Sequence, residues 1–472
     1  MRILLVDSPF FDEQLRRQAS RPFSLGLLAI HSHLVANGHA DVQLENFGGS
    51  DWGAVEDRLR SARPDIIGAS CLTDTRGFCW RLARLAKEIN PKVSVVLGGY
   101  HPTYFAREIL EHHPVDFCVV GEGEETMLEL VRALDSGRTD FADILGLAYR
   151  DPKTGEARLN ERRPLLPDLD AIPISLEHRL FTNEAGKRQA NMISSRGCPF
   201  ACGFCSSSSF WGRTWRKRRI DRIVEEFEAL VALGAETIEM TDDLFTMDLA
   251  RAERFCDTLI AHGNRTPWTA RARTDRMTER LADRMIAARC KQLEFGVESG
   301  DPEVLRRVNK QTDPQEAIDV FAMLARKDIR TLANFMIGNP GESPVTVRRS
   351  IRLACRLNPD RIIIGLARAY PNTMLGHEAE ARGIVRREFW YLESDKAPHY
   401  TGDMSLQQMQ MLAAEMLVRW AVRRGLRLAP DTVRSCWRYI GGRQILSFAF
   451  SALKRRVFTR PVAISGDRRD GP

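Results

Sequence analysis

At 472 residues the chain has room for about three domains of the usual size and a substantial core, and its 43% hydrophobic and 28% charged content excludes a disordered or collagen-like polymer. The apolar run after Met1 is short, and no stretch of ~18 apolar residues occurs, so neither a signal peptide nor a membrane span is predicted. The net charge of +7 is local, since residues 418–460 hold eleven Lys/Arg against Asp431 alone, and it does not describe a nucleic-acid-binding surface spread over the whole chain.

In chain order, the apolar runs 3–6, 42–45, 66–70, 93–97 and 117–120 predict strands. The amphipathic stretches 25–36, 52–60, 78–89, 103–112 and 125–134 predict helices after them. Strand then helix, five times, predicts a doubly wound, Rossmann-like parallel sheet over 1–150 with its ligand at the strand C-termini. A proline-rich linker is predicted at 151–188, with Pro152, Pro164, Pro167 and Pro173. Strands at 192–195, 237–240, 268–271, 292–296, 330–337 and 362–367, with helices between them, predict a partial (βα)6 TIM-type barrel over 189–375. The remainder, 376–472, reads as helical and basic. The fold class expected is therefore α/β, two unlike sheets and a helical tail.

Ten cysteines are too few for a disulfide scaffold in a chain this long, and three of them, Cys198, Cys202 and Cys205, fall within eight positions. That usage points to a reducing cytoplasm. Three thiolates on one loop can hold three irons of a four-iron cluster and leave the fourth open to a small molecule. The alternative is a zinc knuckle, which needs a fourth Cys or His at a second short spacing. Cys71, Cys79, Cys118, Cys256, Cys290, Cys355 and Cys436 are expected to take no part.

The loop Cys198-Pro199-Phe200-Ala201-Cys202-Gly203-Phe204-Cys205, with its aromatic Phe204 before the last cysteine, resembles the signature of the radical S-adenosylmethionine (SAM) enzymes. The resemblance implies a [4Fe-4S] cluster on Cys198, Cys202 and Cys205. It also implies SAM contacts from Phe204, from Thr241, Asp242 and Asp243 (the methionine amino group), from Arg273, Glu298 and Ser299 (carboxylate and ribose), and from Ile337 and Gly338 (adenine). The last two lie in Phe335-Met336-Ile337-Gly338, followed by Pro340-Gly341-Glu342. One electron from the reduced cluster would cleave SAM and give a 5′-deoxyadenosyl radical.

Two segments of the N-terminal domain, Ser70-Cys71-Leu72 and Gly98-Gly99, resemble those by which cobalamin-binding domains hold the nucleotide tail, which marks Ser70, Leu72, Gly98 and Gly99 as cofactor contacts. The runs 115–124 and 144–150 also look like the cobalamin-dependent branch of the radical enzymes. Phe23 stands where related domains carry the axial histidine, so no protein imidazole is expected on cobalt. Tyr100 and His101 could face cofactor or core.

The resemblance implies cobalamin-dependent methylation of an unactivated carbon in a small-molecule or lipid-like substrate, with oxidative cyclisation or rearrangement as the alternative. A non-catalytic, cluster-containing binding protein is disfavoured by cofactor motifs on successive strand ends, and RNA methylthiolation by the lack of its accessory domains. A low-potential donor such as flavodoxin or ferredoxin is the expected partner, and no nucleic acid is. Apolar residues Ile445, Leu446, Phe448, Ala449, Phe450, Leu453, Val457 and Phe458 alternate with Lys454, Arg455, Arg456 and Arg460, and Arg419, Arg423, Arg424 and Arg427 lie upstream. This mixture suits either a peripheral contact with the inner face of a membrane or simple packing on the barrel.

Overall fold

The computed structural model describes residues 1–9, 22–48, 50–173, 176–183 and 185–425. The first sheet has seven strands: β1 (Ile3–Asp7), β2 (Val42–Asn46), β3 (Ile66–Ser70), β4 (Ser94–Gly98), β5 (Phe117–Val119), β6 (Leu147–Arg150) and β7 (Ala157–Leu159), in the order β2-β1-β3-β4-β5-β6-β7. The first five run parallel and the last two antiparallel. Helices α1 (Leu25–Ala36), α2 (Trp52–Ala62), α3 (Arg76–Ile89), α4 (Tyr100–His112) and α5 (Glu124–Asp135) make the crossovers. The central strands are buried on both faces, which is why they read as unbroken apolar runs. Pairing of Asp7 with Ser70 and of Ser70 with Gly98 sets these three residues in one row at the C-terminal edge of the sheet.

The second sheet contains β8 (Leu180–Thr182), β9 (Arg188–Met192), β12 (Thr237–Met240), β13 (Trp268–Ala272), β14 (Cys290–Glu298), β15 (Arg330–Ile337) and β16 (Arg361–Leu366), with β10 (Ser195–Arg196) and β11 (Arg216–Lys217) forming a separate two-stranded ribbon. Six strands from β9 to β16 are parallel, and β8 pairs antiparallel at the edge. Helices α6 (Ser206–Phe210), α7 (Ile220–Ala232), α8 (Leu249–Ala261), α9 (Glu279–Ala287), α10 (Pro302–Arg307), α11 (Pro314–Leu324) and α12 (Pro344–Leu357) follow successive strands. The partial barrel expected from the sequence is thus present. Two details differ: the predicted linker contributes β7 and β8, each too short to show a period, and the first barrel strand ends at Met192 instead of Ser195. There the chain turns away, because the Ser194 and Ser195 hydroxyls are drawn to buried Asp242.

The C-terminal part adds α13 (Met374–Ala381), α14 (Phe389–Leu392) and α15 (Leu406–Arg423). Residues 367–400 share a core with the first sheet's helices, where Trp390, Tyr400 and Leu375 join Phe78, Cys79 and Phe105. Asp74 accepts the Tyr370 hydroxyl at 2.7 Å and the Ala397 N–H at 2.9 Å across this junction. Helix α15 buries Met409, Met416 and Trp420 against the barrel, Arg419 pairs with Glu415, and Arg424 with Asp360. Among the described residues no helix is long and apolar enough to cross a membrane. Cys436, Arg427 and the apolar and basic stretch 445–460 lie outside the described residues.

Candidate active site

The three cysteines occupy one loop that leaves the ribbon strand β10 at Gly197. Gly197 has φ +87°, and a Cβ there would overlap the Thr214 carbonyl, so glycine is required for the turn. Both sides of the loop are braced: Gly203 N–H donates to Val308 O at 2.8 Å, Asn309 Nδ2 to Ala201 O at 3.0 Å, and Leu375 N–H to Gly203 O at 3.1 Å. Burial pushes the Cys198 thiol up to about 11 and raises Cys205 as well, and the neighbouring thiols add to both shifts. Such thiols stay protonated until a metal displaces the proton. Among the described residues no three His, Cys, Asp or Glu converge as ligands of a single ion. Cys198, Cys202 and Cys205 are free thiols, each partly buried, and three such groups on one loop suit a cluster with an open iron.

The other marked residues stand at successive strand ends, in unequal positions. Asp243, after β12, is exposed and close enough to Cys198, Cys205 and Tyr100 to raise all three. The Asp242 carboxylate is fully buried and accepts Ser194 N–H and the hydroxyls of both Ser194 and Ser195, the latter at 2.5 Å, which braces the strand end. Burial raises its pKa against these hydrogen bonds. Thr241 donates its hydroxyl to Met192 O. Arg273 pairs with Asp275, donates to Lys310 O at 2.9 Å, stacks 3.7 Å from the Phe200 centroid and points Nη1 toward Cys202 Sγ at 4.0 Å. It clamps the cysteine loop.

Glu298, at the end of β14, has φ +64° where the register slips. Its Oε1 lies 3.2 Å from Lys310 Nζ, and that ammonium is 5.9 Å from the Phe204 ring. Ser299 is fully buried, with its hydroxyl 3.2 Å from that of Ser350. Ile337, the last residue of β15, is buried, and the N–H groups of Gly338 and Asn339 both donate to Glu342 Oε2, at 2.7 and 3.0 Å.

A cavity of about 280 Å³ opens at the C-terminal edge of the first sheet. Ser70, Leu72, Gly98 and Gly99 all line it from that sheet, and Ile193, Arg196, Phe210 and Trp211 from the cysteine-loop side. Gly99 has φ +103°, and its missing Cβ would lie 3.0 Å from Cys71 O, leaving backbone exposed to whatever fills the space. Tyr100 lines the cavity and stacks on Phe210 at 4.2 Å, whereas His101 is fully buried and pushed down to about 3 by burial, beside Arg76. Phe23 packs on the His178 ring at 5.9 Å and does not line the cavity.

Residues 192–354 match the model of the radical SAM superfamily, and residues 19–131 that of the B12 binding domain. An uncharacterized methyltransferase of Pyrococcus horikoshii is 33% identical over 85% of this chain and 89% of its own length. The chain belongs to the cobalamin-dependent radical SAM enzymes. It uses a [4Fe-4S] cluster, SAM and cobalamin. The anaerobic magnesium-protoporphyrin IX monomethyl ester cyclase of Rubrivivax gelatinosus is 31% identical over 70% of this chain, which spans only 61% of that cyclase. Among solved structures, the radical SAM methyltransferase TsrM of Kitasatospora setae, with cobalamin and [4Fe-4S] cluster bound, superposes with a TM-score of 0.66 over 81% of this chain and 75% of that one, at 19% identity.

Sequence reasoning missed Lys310 and the loop 308–311, which the fold returns beneath the cysteines. It also missed Phe210 and Trp211, which wall the cavity. The string Trp211-Gly212-Arg213-Thr214-Trp215-Arg216-Lys217-Arg218-Arg219 was the available signal, since aromatics mixed with cations directly after a cofactor loop are seldom all solvated.

Proposed function

We propose that this enzyme methylates an unactivated carbon of a small-molecule or lipid-like substrate. The observation that supports the reading is the shared cavity: Gly98 and Gly99 form one wall, and Phe210 and Trp211, which follow the cysteine loop, form the other. A substrate lying between these walls would reach both cofactors. In this reading the 1–150 domain holds cobalamin and the 189–375 domain holds cluster and SAM, joined by 151–188. Cys198, Cys202 and Cys205 carry the iron. Asp243 offers an open carboxylate for the methionine amino group, and Glu298, with Lys310, faces the polar end of SAM. Phe204 packs beneath it, and Gly338 gives backbone to adenine. The bound cofactors supply a carbon radical on the substrate and a methyl group for it to capture. The chain's residues bind, orient and keep water out. A flavodoxin- or ferredoxin-type donor delivers the electron, and contact with a membrane through 445–458 rests on sequence alone.

The relatives include a cyclase at 31% identity, which favours oxidative cyclisation as the second reading. Methyl-labelled SAM separates the two. Methylation consumes two SAM per turnover and releases S-adenosylhomocysteine and 5′-deoxyadenosine in comparable amounts with label in the product. Deoxyadenosine alone, with an unlabelled product, supports the cyclase.

A further inference from the structure

Strands β10 and β11 form the ribbon that closes the loop 197–215 around the three cysteines, and its paired residues at the mouth are Arg196 and Arg216. Two cations directly opposite in an antiparallel pair repel each other and would splay the ribbon. Their counter-charge comes from the other domain. Glu122, after β5, accepts Arg196 Nη1 at 2.7 Å and Arg216 Nη2 at 3.0 Å on one oxygen, and Arg216 Nη1 at 2.8 Å and Leu166 N–H at 2.7 Å on the other. Glu124 takes Arg196 Nη2 at 2.7 Å. The network is two cations and two anions, each with at most 14% of its side chain exposed. Burial pushes the Glu122 carboxyl up, but Arg216, Arg196 and the Leu166 N–H outweigh it and hold it below the ordinary range. Its acceptors are filled by protein, so Glu122 is not a free ligand for anything in the cavity, although Glu122, Glu124 and Arg196 all line that cavity.

We propose that Glu122 is a positioning residue for the cluster: from the cobalamin domain it closes the cysteine loop, so that filling the cobalamin cavity and retaining the cluster reinforce each other. This rests on the reading of Cys198, Cys202 and Cys205 as cluster ligands and of the cavity as cobalamin's. A filled cavity removes water from beside the four charges, which strengthens their attraction and holds the ribbon shut. Reciprocity of linked binding then requires an intact cluster loop to tighten cobalamin.

The test uses full-length protein, reconstituted anaerobically, and follows iron loss to a ferrous chelator with and without hydroxocobalamin. Wild type should lose iron more slowly when cobalamin is bound. Glu122→Gln should lose iron at least about tenfold faster, as breaking a buried ion pair leaves an uncompensated charge, and cobalamin should no longer slow the loss. Glu122→Gln with Arg216→Gln restores charge balance and should recover retention, which simple misfolding would not. Wild-type retention in Glu122→Gln, no recovery in the double variant, or no cobalamin effect in wild type overturns the proposal. Cys198→Ala is the separate control: a variant that keeps a full cluster overturns the ligand reading beneath it.

Discussion

Lys310 Nζ and Glu298 Oε1 lie 3.2 Å apart at the foot of the cysteine loop, with only 8% and 12% of the two side chains exposed. Gly296 makes room for the pair, since a Cβ there would sit 2.8 Å from the Lys310 ammonium. Charges this buried are tolerated because each neutralises the other. Lys310→Met leaves Glu298 buried and unpaired, and should cost about 3 kcal/mol of stability. Lys310→Arg should restore part of it. Equilibrium dialysis of the cluster-loaded protein should show weaker SAM binding in Lys310→Met. Unchanged SAM affinity would place the pair outside the cofactor site.

Glu342 gives the enzyme a predictable pH dependence. Burial raises its carboxyl to about 7 even though Gly338 and Asn339 N–H groups favour the ionised form. A carboxyl whose pKa is higher folded than unfolded binds more protons in the native state, so stability falls as pH rises from about 4.5 to 7 and is level above that. The contribution is about 3 kcal/mol across that window. Glu342→Gln keeps an acceptor for the two N–H groups and removes the titration. Denaturation midpoints at pH 5.5 and 7.5 should differ less in this variant than in wild type, and equal slopes in both proteins would disprove the assignment.

What was legible in the sequence follows from how each feature is encoded. Strands such as β1 and β3 are buried on both faces, so burial itself writes a continuous apolar run. The cysteine loop is local, and spacing alone carries it. By contrast, a carboxylate's direction is not written locally: Asp242 and Asp243 are adjacent, yet one is fully buried under two serines and the other exposed beside the cysteines. The arginine partners of Glu122 are 74 and 94 residues away, and only the docking of the two domains brings them together. Lys310 reaches the site through left-handed turns at Asn309 and Gln311, which no hydrophobic period foretells.

Gly99 tests the cobalamin wall. At φ +103° an L side chain is strained, and here its Cβ would also press on the Cys71 carbonyl. Gly137 serves as control, having φ +73° with open space where its Cβ would go. Gly99→Ala should lose about 1–3 kcal/mol of stability and, through displacement of the Ser70–Leu72 turn, most of its cobalamin affinity by absorbance titration. Gly137→Ala should show strain alone and bind cobalamin normally. Equal cobalamin binding by both variants would show that the Gly99 backbone does not meet the cofactor.

The last prediction concerns the cobalt itself. Among the described residues no histidine lines the cavity. Phe23, at the position where an axial histidine would be looked for, instead packs edge-on against His178, and His101, which follows Tyr100, is turned into the core with Nδ1 3.3 Å from the Thr73 hydroxyl. Freeing it would break that contact and empty the space its fully buried ring fills in the core. Cobalt(II) in this enzyme should therefore carry no protein imidazole. Electron paramagnetic resonance of protein grown with ¹⁵N-histidine should match that of the unlabelled protein, because only a coordinated ring nitrogen would change the superhyperfine pattern. A spectrum that alters with the label would show a histidine reaching the metal, and Phe23→His is the informative companion: introducing an imidazole there should create label-dependent splitting if that position faces the cobalt.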